Sequence, residues 1–262
     1  KSRLSALRFQ GGRRLLAAGH LLLIGLAIVP SCVLTARDYF FRWPQLEAVR
    51  FVHQTALTAI GSRLDGLPPQ AEAAVAGWSV HTLDRPTLEL ATGREVSEIR
   101  LCDLHEESTL VIPAGQDSWL FVPSRLPFDE DLRGRLLSWG AARTEEQGPF
   151  ISYSLSDRTA LEQALTRLED AATVPEGSAV ELPASFDGRL ALLGYEWLQR
   201  DCDGLKLLTY WRIEDPPPAR LKIFVHLLDG AGKRVAQHDG PGSPVQGWAT
   251  GDLVIQNHTI AP

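Results

Sequence analysis

The sequence has no methionine and only three cysteines among its 262 residues. Cys32, Cys102 and Cys202 form no CxxC pair and no zinc-ligand spacing, which excludes a zinc ribbon and a dithiol redox site. One of the three lies in an apolar stretch, so only Cys102 and Cys202 remain as possible disulfide partners, and isolated cysteines are more often small buried side chains. Because an open reading frame starts with methionine and this chain starts with Lys1, we expect a processed chain or a fragment.

The chain also lacks the short motifs of nucleotide-binding and serine-hydrolase sites. No glycine-rich phosphate loop opens a predicted helix, and no serine stands in a GxSxG motif. The net charge is −6, and because the first fourteen residues carry five positive charges, the rest of the chain carries −11. Nucleic-acid binding needs a basic surface, so we expect no nucleic-acid partner, and we expect no cofactor in this chain.

The longest uncharged run, LLAAGHLLLIGLAIVPSCVL at 15–34, predicts a transmembrane helix over 15–36. About twenty residues at a rise of about 1.5 Å per residue match the roughly 30 Å hydrocarbon core of a bilayer. Residues 1–14 contain five basic and no acidic residues, so the positive-inside rule predicts that they stay in the cytoplasm. Everything from Arg37 onward is then extracytoplasmic, and the chain belongs to the cell membrane.

Two other interpretations of this run stay open. A buried core helix is disfavoured because a run of this length without a charge is unusual in a soluble domain of this size. A cleaved signal peptide would share the basic start and the apolar centre, and VPSC at 29–32 resembles the motif that precedes a lipidated cysteine in bacterial lipoproteins. The proline in that motif and the long basic segment favour the membrane span.

A cluster of charged and aromatic residues follows the apolar run. Arg37, Asp38, Tyr39 and Trp43 lie where a helix leaving the bilayer meets the headgroups, and aromatic residues are enriched at that depth. These four residues are candidate contacts to the membrane interface or to a lipid phosphate. An interfacial anchor with an Arg37–Asp38 ion pair is the simpler of the two interpretations.

Residues 37–172 alternate helical and strand patterns, which predicts a small extracytoplasmic three-layer α/β domain. Apolar residues at helical spacing predict one amphipathic helix over 44–64. Strands are predicted at 73–80, 98–104, 109–112, 119–122, 141–146 and 150–155. Further helices are predicted at 85–92, at 128–139 with Gly140 at its end, and at 157–171 with Asp157 as N-cap.

Residues 173–183 have the composition of a linker, and after them the apolar pattern changes to a period of two. Strands are predicted at 190–198, 205–213, 221–228, 233–238 and 253–260. Such strands, separated by glycine and proline, predict an antiparallel β-sandwich over 184–262. Since five strands are fewer than the usual seven or so, we expect this sandwich to be incomplete at Pro262. The predicted fold class is an α+β multidomain piece of a membrane protein.

Few residues combine into a candidate catalytic or metal site. Asp103 and His105, followed by two glutamates, form the densest group of possible metal ligands, but a solvated junction between strand and turn is the commoner outcome. We therefore predict no catalytic and no metal-binding residue in this chain. Most of the seven tryptophans are flanked by apolar residues, and Trp248 in QGWATGD is the best candidate for an exposed platform that stacks on a sugar.

Several segments together resemble a known family. LLGYEW (192–197), LTYWRI (208–213), IFVHLLDGAGKRVAQHDG (223–240) and GWATGDLVIQNHTIAP (247–262) resemble the β-sandwich module of many bacterial multi-pass membrane glycosyltransferases. These enzymes are of the protein-mannosyltransferase-like GT-C type, close to family 39. ARDYFFRWPQ (36–45) is similar to the exit from their last membrane helix, and LVIPAGQDSWLFVPSRLPFD (110–129) is similar to their extracytoplasmic domain.

The resemblance implies a function for the parent protein. It implies transfer of a sugar from a polyprenyl-phosphate donor to a glycan or protein acceptor at the lipid bilayer. The catalytic acids of the family lie in the first extracytoplasmic loop, near the amino terminus of the full protein. No segment here matches that loop, so no catalytic residue is assigned. This chain would be the carboxy-terminal extracytoplasmic portion, serving acceptor binding or structure.

A second hypothesis comes from a different class of protein. A single anchor followed by domains without a catalytic constellation is also typical of a single-span or lipid-anchored extracytoplasmic protein. Such a protein would bind a glycan or a protein partner without catalysis.

Overall fold

A computed structural model describes residues 23–77, 85–105, 108–145, 148–171, 182–201 and 204–260. The chain divides into two compact units, residues 1–53 and residues 54–262. The described part of the first unit is an apolar helix with its exit segment. The described part of the second unit is an α+β body built on three sheets.

One apolar helix, α1, runs from Leu23 to Gln45 in the first unit. It is long and apolar enough to cross a membrane by length and composition, a test that a signal sequence near the amino terminus also passes. Its last turns widen to a π-helix at Asp38–Arg42 and then tighten to a 3-10 turn at Trp43–Gln45. The helix continues past the predicted end at 36, and residues 15–22 of the predicted span lie outside the described residues.

The single helix predicted over 44–64 is wrong. Two helices, α2 (Glu47–Val52) and α3 (Thr55–Asp65), occupy this stretch. They are separated because Gln54 adopts a left-handed conformation with a φ of 51°. A right-handed helix cannot continue through such a residue. The spacing of apolar residues is continuous across Gln54 and therefore did not indicate that the helix is interrupted there.

A mixed five-stranded sheet forms one layer of the second unit. Its strands are β1 (Glu72–Gly77), β2 (Arg100–Asp103), β4 (Ser118–Pro123), β5 (Ala142–Glu145) and β6 (Phe150–Leu155). The strand order is β2-β1-β4-β6-β5, with β1 parallel to β2 and β4 and the other pairs antiparallel. The apolar sequence of β1, EAAVAG, suits a parallel strand that is covered on both faces.

Three helices follow strands of this sheet: α4 (Arg85–Ala91), α5 (Glu130–Ser138) and α6 (Thr159–Ala171). Asp129 caps α5, because its Oδ1 accepts hydrogen bonds from the amides of Asp131 and Leu132 at 3.0 and 3.1 Å. Gly140 follows the end of α5 with a φ of 89°, which agrees with its predicted place. Asp157 accepts a hydrogen bond from the Thr159 amide at 2.9 Å, at the predicted start of α6.

The remaining strands form two antiparallel sheets. They are β3 (Thr109–Ile112), β7 (Ala184–Phe186), β8 (Leu190–Asp201), β9 (Gly204–Ile213), β10 (Ile223–Leu228), β11 (Arg234–Gly240) and β12 (Leu253–Ile260). Five of them pair in the order β3-β12-β9-β8-β7, and β10 pairs only with β11 among the described strands. Mostly antiparallel sheets with several helices make this an α+β fold.

Strand β3 differs from its predicted place in a separate α/β domain. Thr109–Ile112 pair with Leu253–Gln256 of β12, and all four residues of β3 are buried. Pairing with β12 satisfies backbone groups that water cannot reach. The largest core likewise joins side chains from both predicted domains, among them Leu132, Tyr153, Tyr210 and Ile255. The described residues of 184–260 therefore share a sheet and a core with the segment before them. Residues 173–181 of the predicted linker 173–183 lie outside the described residues.

A buried ion pair links the two large sheets. Nε and Nη2 of Arg100 donate to the carboxylate of Asp252 at 2.9 and 3.1 Å, and Asp252 is 0% exposed. The same carboxylate accepts hydrogen bonds from the amides of Ala114 and Ala249 at 3.0 and 2.8 Å, while Arg100 also donates to Glu72 at 3.1 Å. Burial alone would lower the pKa of Arg100, but its bonds to Asp252 raise that pKa above the ordinary value. Arg100 stays charged.

We predict that Arg100→Met lowers the free energy of unfolding of the body by about 3–5 kcal/mol, because it leaves the Asp252 carboxylate buried without its counter-ion. Denaturant titration of the detergent-solubilised chain, followed by tryptophan fluorescence, measures this loss. The control is Arg189→Met, which removes an exposed ion pair with Asp215 and should cost less than about 1 kcal/mol. Equal losses for the two variants would contradict the assignment of Arg100.

Candidate functional site

The exit segment of α1 carries an exposed aromatic cluster. Tyr39, Phe40, Phe41 and Trp43 are all exposed. The rings of Tyr39 and Trp43 stack at 5.4 Å between centroids, because residues four positions apart lie on the same face of a helix. Tyr39 and Phe40 meet edge to face at 5.1 Å. An aromatic cluster of this kind suits the headgroup region of a bilayer, where amphipathic aromatic side chains are enriched.

Arg37 and Asp38 form the predicted ion pair beside this cluster. Nη2 of Arg37 lies 3.3 Å from Oδ1 of Asp38, and the two side chains are 61% and 51% exposed. An exposed pair of this kind contributes roughly 0–1 kcal/mol. Because both side chains are exposed, both are accessible to a lipid headgroup. The four residues predicted for the membrane interface, Arg37, Asp38, Tyr39 and Trp43, thus lie together at the end of α1.

Arg50 and His53 complete the exit segment, and sequence spacing did not indicate them. Nε of Arg50 donates to the carbonyl of Pro44 at 3.2 Å, and its Nη2 donates to Oε1 of Gln45 at 2.7 Å. The ring of His53 meets Trp43 edge to face at 5.5 Å. Arg50 caps carbonyl and amide oxygens at the end of α1, so the aromatic cluster is held by a folded turn. The only sequence signal was Pro44, which marks that turn.

Trp248 does not form the exposed sugar platform that the sequence predicts. Its side chain is 3% exposed and belongs to the largest core. The loop around it is folded inward, because Asp252 accepts the amide of Ala249 at 2.8 Å and Gly247, with a φ of 93°, packs against backbone carbonyls of Ser97 and Ile99. The composition of the loop suggested that Trp248 is exposed to solvent. Instead, the hydrogen bond from the Ala249 amide to Asp252 holds the loop against the body.

Trp197 on β8 is an exposed aromatic side chain that the sequence analysis did not single out. It is exposed, and it meets Tyr195 edge to face at 6.4 Å. Two residues along a strand share one face of the sheet, which explains the contact. Period-two patterning could have indicated this pair.

Asp103 is the last residue of β2, and its side chain holds the bend that follows the strand. It is 1% exposed, its Oδ1 accepts the amide of His105 at 2.9 Å, and its own amide donates to Oγ of Ser243 at 2.8 Å. The expected solvated junction is therefore wrong for Asp103. Residues 106 and 107 lie outside the described residues, and the part of the chain that the structure describes holds no group of three or more potential metal ligands among His, Cys, Asp and Glu.

A line of polar side chains, buried except for the half-buried His238, connects β9, β11 and β12. Nδ1 of His238 lies 2.9 Å from Nδ1 of His258, and Nε2 of His258 lies 2.8 Å from Oγ1 of Thr209. The indole nitrogen of Trp211 donates to the same hydroxyl at 2.9 Å. One histidine donates and the other accepts across the Nδ1 pair, so the two imidazoles cannot both be protonated in this arrangement.

His258 is held neutral by its surroundings. Burial and the neighbouring His238 lower the pKa of His258 to about 3. A neutral, fully buried imidazole with fixed partners joins the β10–β11 sheet to the body. Because it has no exposed face, we assign it a structural role.

Comparison with protein-family models, with curated proteins and with solved structures finds no match to this chain. The functional conclusion therefore depends on the geometry and on the sequence alone.

We predict that His258 makes the body less stable as the pH falls. The folded pKa lies below the ordinary value of 6.5, so the unfolded chain binds more protons. The contribution is complete above pH 6.5 and is lost, by at most about 1.4 kcal/mol per pH unit, as the pH falls toward 3. Denaturant midpoints measured across this range report the loss.

The variant His258→Gln should have a shallower slope of stability against pH than the wild-type protein. His226→Gln is the matched control, because His226 is exposed on the adjoining hairpin and should leave the slope unchanged. The carboxylates titrate in all three proteins, so the difference in slope isolates His258. An identical slope in His258→Gln and the wild type would contradict the prediction.

Proposed function

We propose that this chain is a bilayer-anchored module in which α1 crosses the membrane and the α+β body lies on the extracytoplasmic side. The observation that carries the proposal is the exposure of α1. Its apolar side chains, among them Leu23, Leu26, Val29 and Val33, are more than half exposed. Apolar surface in water costs about 25 cal/mol per Å², so a helix of this kind is stable only when lipid or another apolar surface covers it.

The end of α1 supports a bilayer as the covering surface. The aromatic cluster and the Arg37–Asp38 pair follow the apolar stretch directly, which is the order of groups at a membrane interface. The basic residues 1–14 lie before the stretch in the sequence and favour a cytoplasmic amino terminus.

The finer proposal is that the parent protein is a glycosyltransferase of the GT-C type that uses a polyprenyl-phosphate sugar. Its support is the resemblance of the exit segment and of the strands β8 to β12 to that family. In this proposal Arg37 and the aromatic cluster contact the lipid-phosphate region, and the body contributes acceptor binding or structure. The catalytic residues lie in the parent protein outside this chain.

We predict that the double variant Leu26→Arg/Val29→Arg releases the chain from the membrane. A charged side chain at the centre of a membrane helix costs about 2.5–3.5 kcal/mol, so two of them should prevent insertion. Carbonate extraction of isolated membranes followed by immunoblotting measures the retained fraction. Leu90→Arg is the control, because Leu90 is exposed on α4 of the body. Full retention of the double variant would contradict a spanning helix.

The glycosyltransferase proposal has its own test. We expect the encoding reading frame to continue upstream of Lys1 through several further apolar helices, and membranes containing the whole protein to transfer sugar from a polyprenyl-phosphate donor. A reading frame that begins at or just before Lys1 would remove this proposal. It would leave the single-span binding protein as the remaining hypothesis.

A further inference from the structure

The hairpin of β10 and β11 is attached to the body chiefly at its two ends. Among the described strands, β10 and β11 pair only with each other. Ile223 and Gly240, which pair at the base of the hairpin, are buried, whereas the other residues of the two strands are half-buried or exposed. The hairpin can therefore move about its base without breaking a strand pairing in either larger sheet.

Polar side chains lie between the hairpin and the sheet beneath it. His238 of β11 faces His258 of β12, with their Nδ1 atoms 2.9 Å apart, and we call these two residues the histidine pair. Gly240 lies against the side-chain amide of Gln256, which is 0% exposed and has no hydrogen-bond partner among the described residues. A buried amide without a partner costs free energy that contact with water would restore, so Gln256 weakens the docking of the hairpin.

Among the described residues, no carboxylate of strands β9 to β12 faces the histidine pair. Strands β9, β10 and β12 contain neither aspartate nor glutamate. On β11, Asp239 is adjacent to His238 and therefore lies on the opposite, exposed face, where it accepts a hydrogen bond from Gln237 at 3.1 Å. On the neighbouring strand β8, Glu196 pairs with Arg135 of α5.

The other side chains around the histidine pair are uncharged or lie away from it. Oγ1 of Thr209 is 2.8 Å from Nε2 of His258, and Val225 of β10 is opposite His238 in the register. Tyr195 of β8 pairs with Thr209 in the register, and acid does not charge a phenol. The remaining basic side chains of strands β9 to β12 lie on other faces or near the turn of the hairpin: Lys206, Arg212, His226 and Arg234.

We propose that the histidine pair is a pH-sensitive contact, and that acid releases the β10–β11 hairpin from the sheet while the rest of the body stays folded. One Nδ1 proton bridges the two rings, whereas a second makes both Nδ1 atoms donors that face each other at 2.9 Å. Because no carboxylate offsets the second charge, both rings are accommodated only when His238 moves away and water reaches them. Release then uncovers three polar side chains that are buried in the docked state: Thr209, Gln256 and His258.

The released hairpin binds one proton more than the docked hairpin over a defined range of pH. Burial and the neighbouring His238 lower the pKa of His258 to about 3 in the docked state, whereas a hydrated imidazole has the ordinary value of 6.5. Docking is therefore favoured fully above pH 6.5, and the ratio of released to docked hairpin rises up to about tenfold per pH unit as the pH falls below that value. Between pH 7.5 and pH 4.5 the expected increase is about 100-fold.

The test measures the distance between the hairpin and the body in the full chain, reconstituted in lipid nanodiscs, by pulsed electron paramagnetic resonance. Nitroxide labels are attached to Ala231→Cys in the exposed turn and to Glu130→Cys on α5, in a background without the native cysteines. We expect one distance at pH 7.5 and a second, broader population at pH 4.5 that disappears when the pH is raised again. A second label pair, Leu90→Cys with Glu130→Cys, joins two helices of the body and should keep one distance at both pH values.

Two glutamine variants identify the titrating pair. His258→Gln and His238→Gln each leave one imidazole facing an amide whose carbonyl oxygen can accept its hydrogen bond, so two donors no longer face each other. In both variants we expect the increase in released hairpin to fall from about 100-fold to less than about tenfold. His226→Gln is the matched control, because His226 is exposed on β10 and its loss should leave the response to pH unchanged.

Three results would overturn the inference. The first is a hairpin distance that is the same at pH 7.5 and pH 4.5 in the wild-type sequence. The second is a full response to pH in both His258→Gln and His238→Gln, since another group would then control the hairpin. The third is broadening of the Leu90–Glu130 distance together with the hairpin distance, which would mean that acid unfolds the whole body. Both label pairs lie in residues 54–262, so these results are independent of the proposal that α1 crosses the membrane.

Discussion

The body depends on one buried charge interaction, the pair of Arg100 and Asp252. These residues are 152 positions apart in sequence, and their side chains meet between the mixed sheet and the strand β12. Four donors converge on the Asp252 carboxylate, two from Arg100 and two from the backbone. A buried charge is tolerated only when it is paired and fully hydrogen-bonded, so this arrangement fixes the loop before β12 and the loop after β3 together.

That constraint determines which surfaces the molecule can use. It places Trp248 in the core and leaves no room for a sugar at that position. Strand β3 also joins the two predicted domains, because it pairs with β12. Two ion pairs connect the same domains. Arg135 of α5 pairs with Glu196 of β8, and Lys206 of β9 pairs with Asp131 of α5. Among the described residues, exposed apolar side chains gather on α1 and on the hairpin of β10 and β11.

Local features of the fold were predictable because local chemistry decides them. The bounds of β3 at 109–112 follow from a short apolar run, and the limits of α5 follow from Asp129 and Gly140. The membrane-interface cluster was also predictable, since its residues are neighbours in sequence. The pairing of β3 with β12 was not, because nothing in four apolar residues specifies a partner strand about 140 positions away.

The other features that the sequence did not predict come either from contacts between residues distant in sequence or from backbone conformation. The left-handed Gln54 breaks a helix whose apolar spacing is continuous. The pair of His238 and His258 joins two strands that period-two patterning describes only one at a time. Arg50 reaches back to Pro44 and Gln45, a contact that becomes visible only once the turn is formed.

The central claim is that α1 anchors the body on the extracytoplasmic face, and the most direct measurement is the accessibility of a cysteine introduced at Glu130. This side chain is 90% exposed on α5, so a thiol there reacts freely in the folded body. A variant with Glu130→Cys in a background without the native cysteines is treated with a membrane-impermeant maleimide on intact cells. We predict that Glu130→Cys is labelled before lysis. A separate variant, Ser5→Cys, should be labelled only after lysis. Labelling of Glu130→Cys only after lysis would contradict the account.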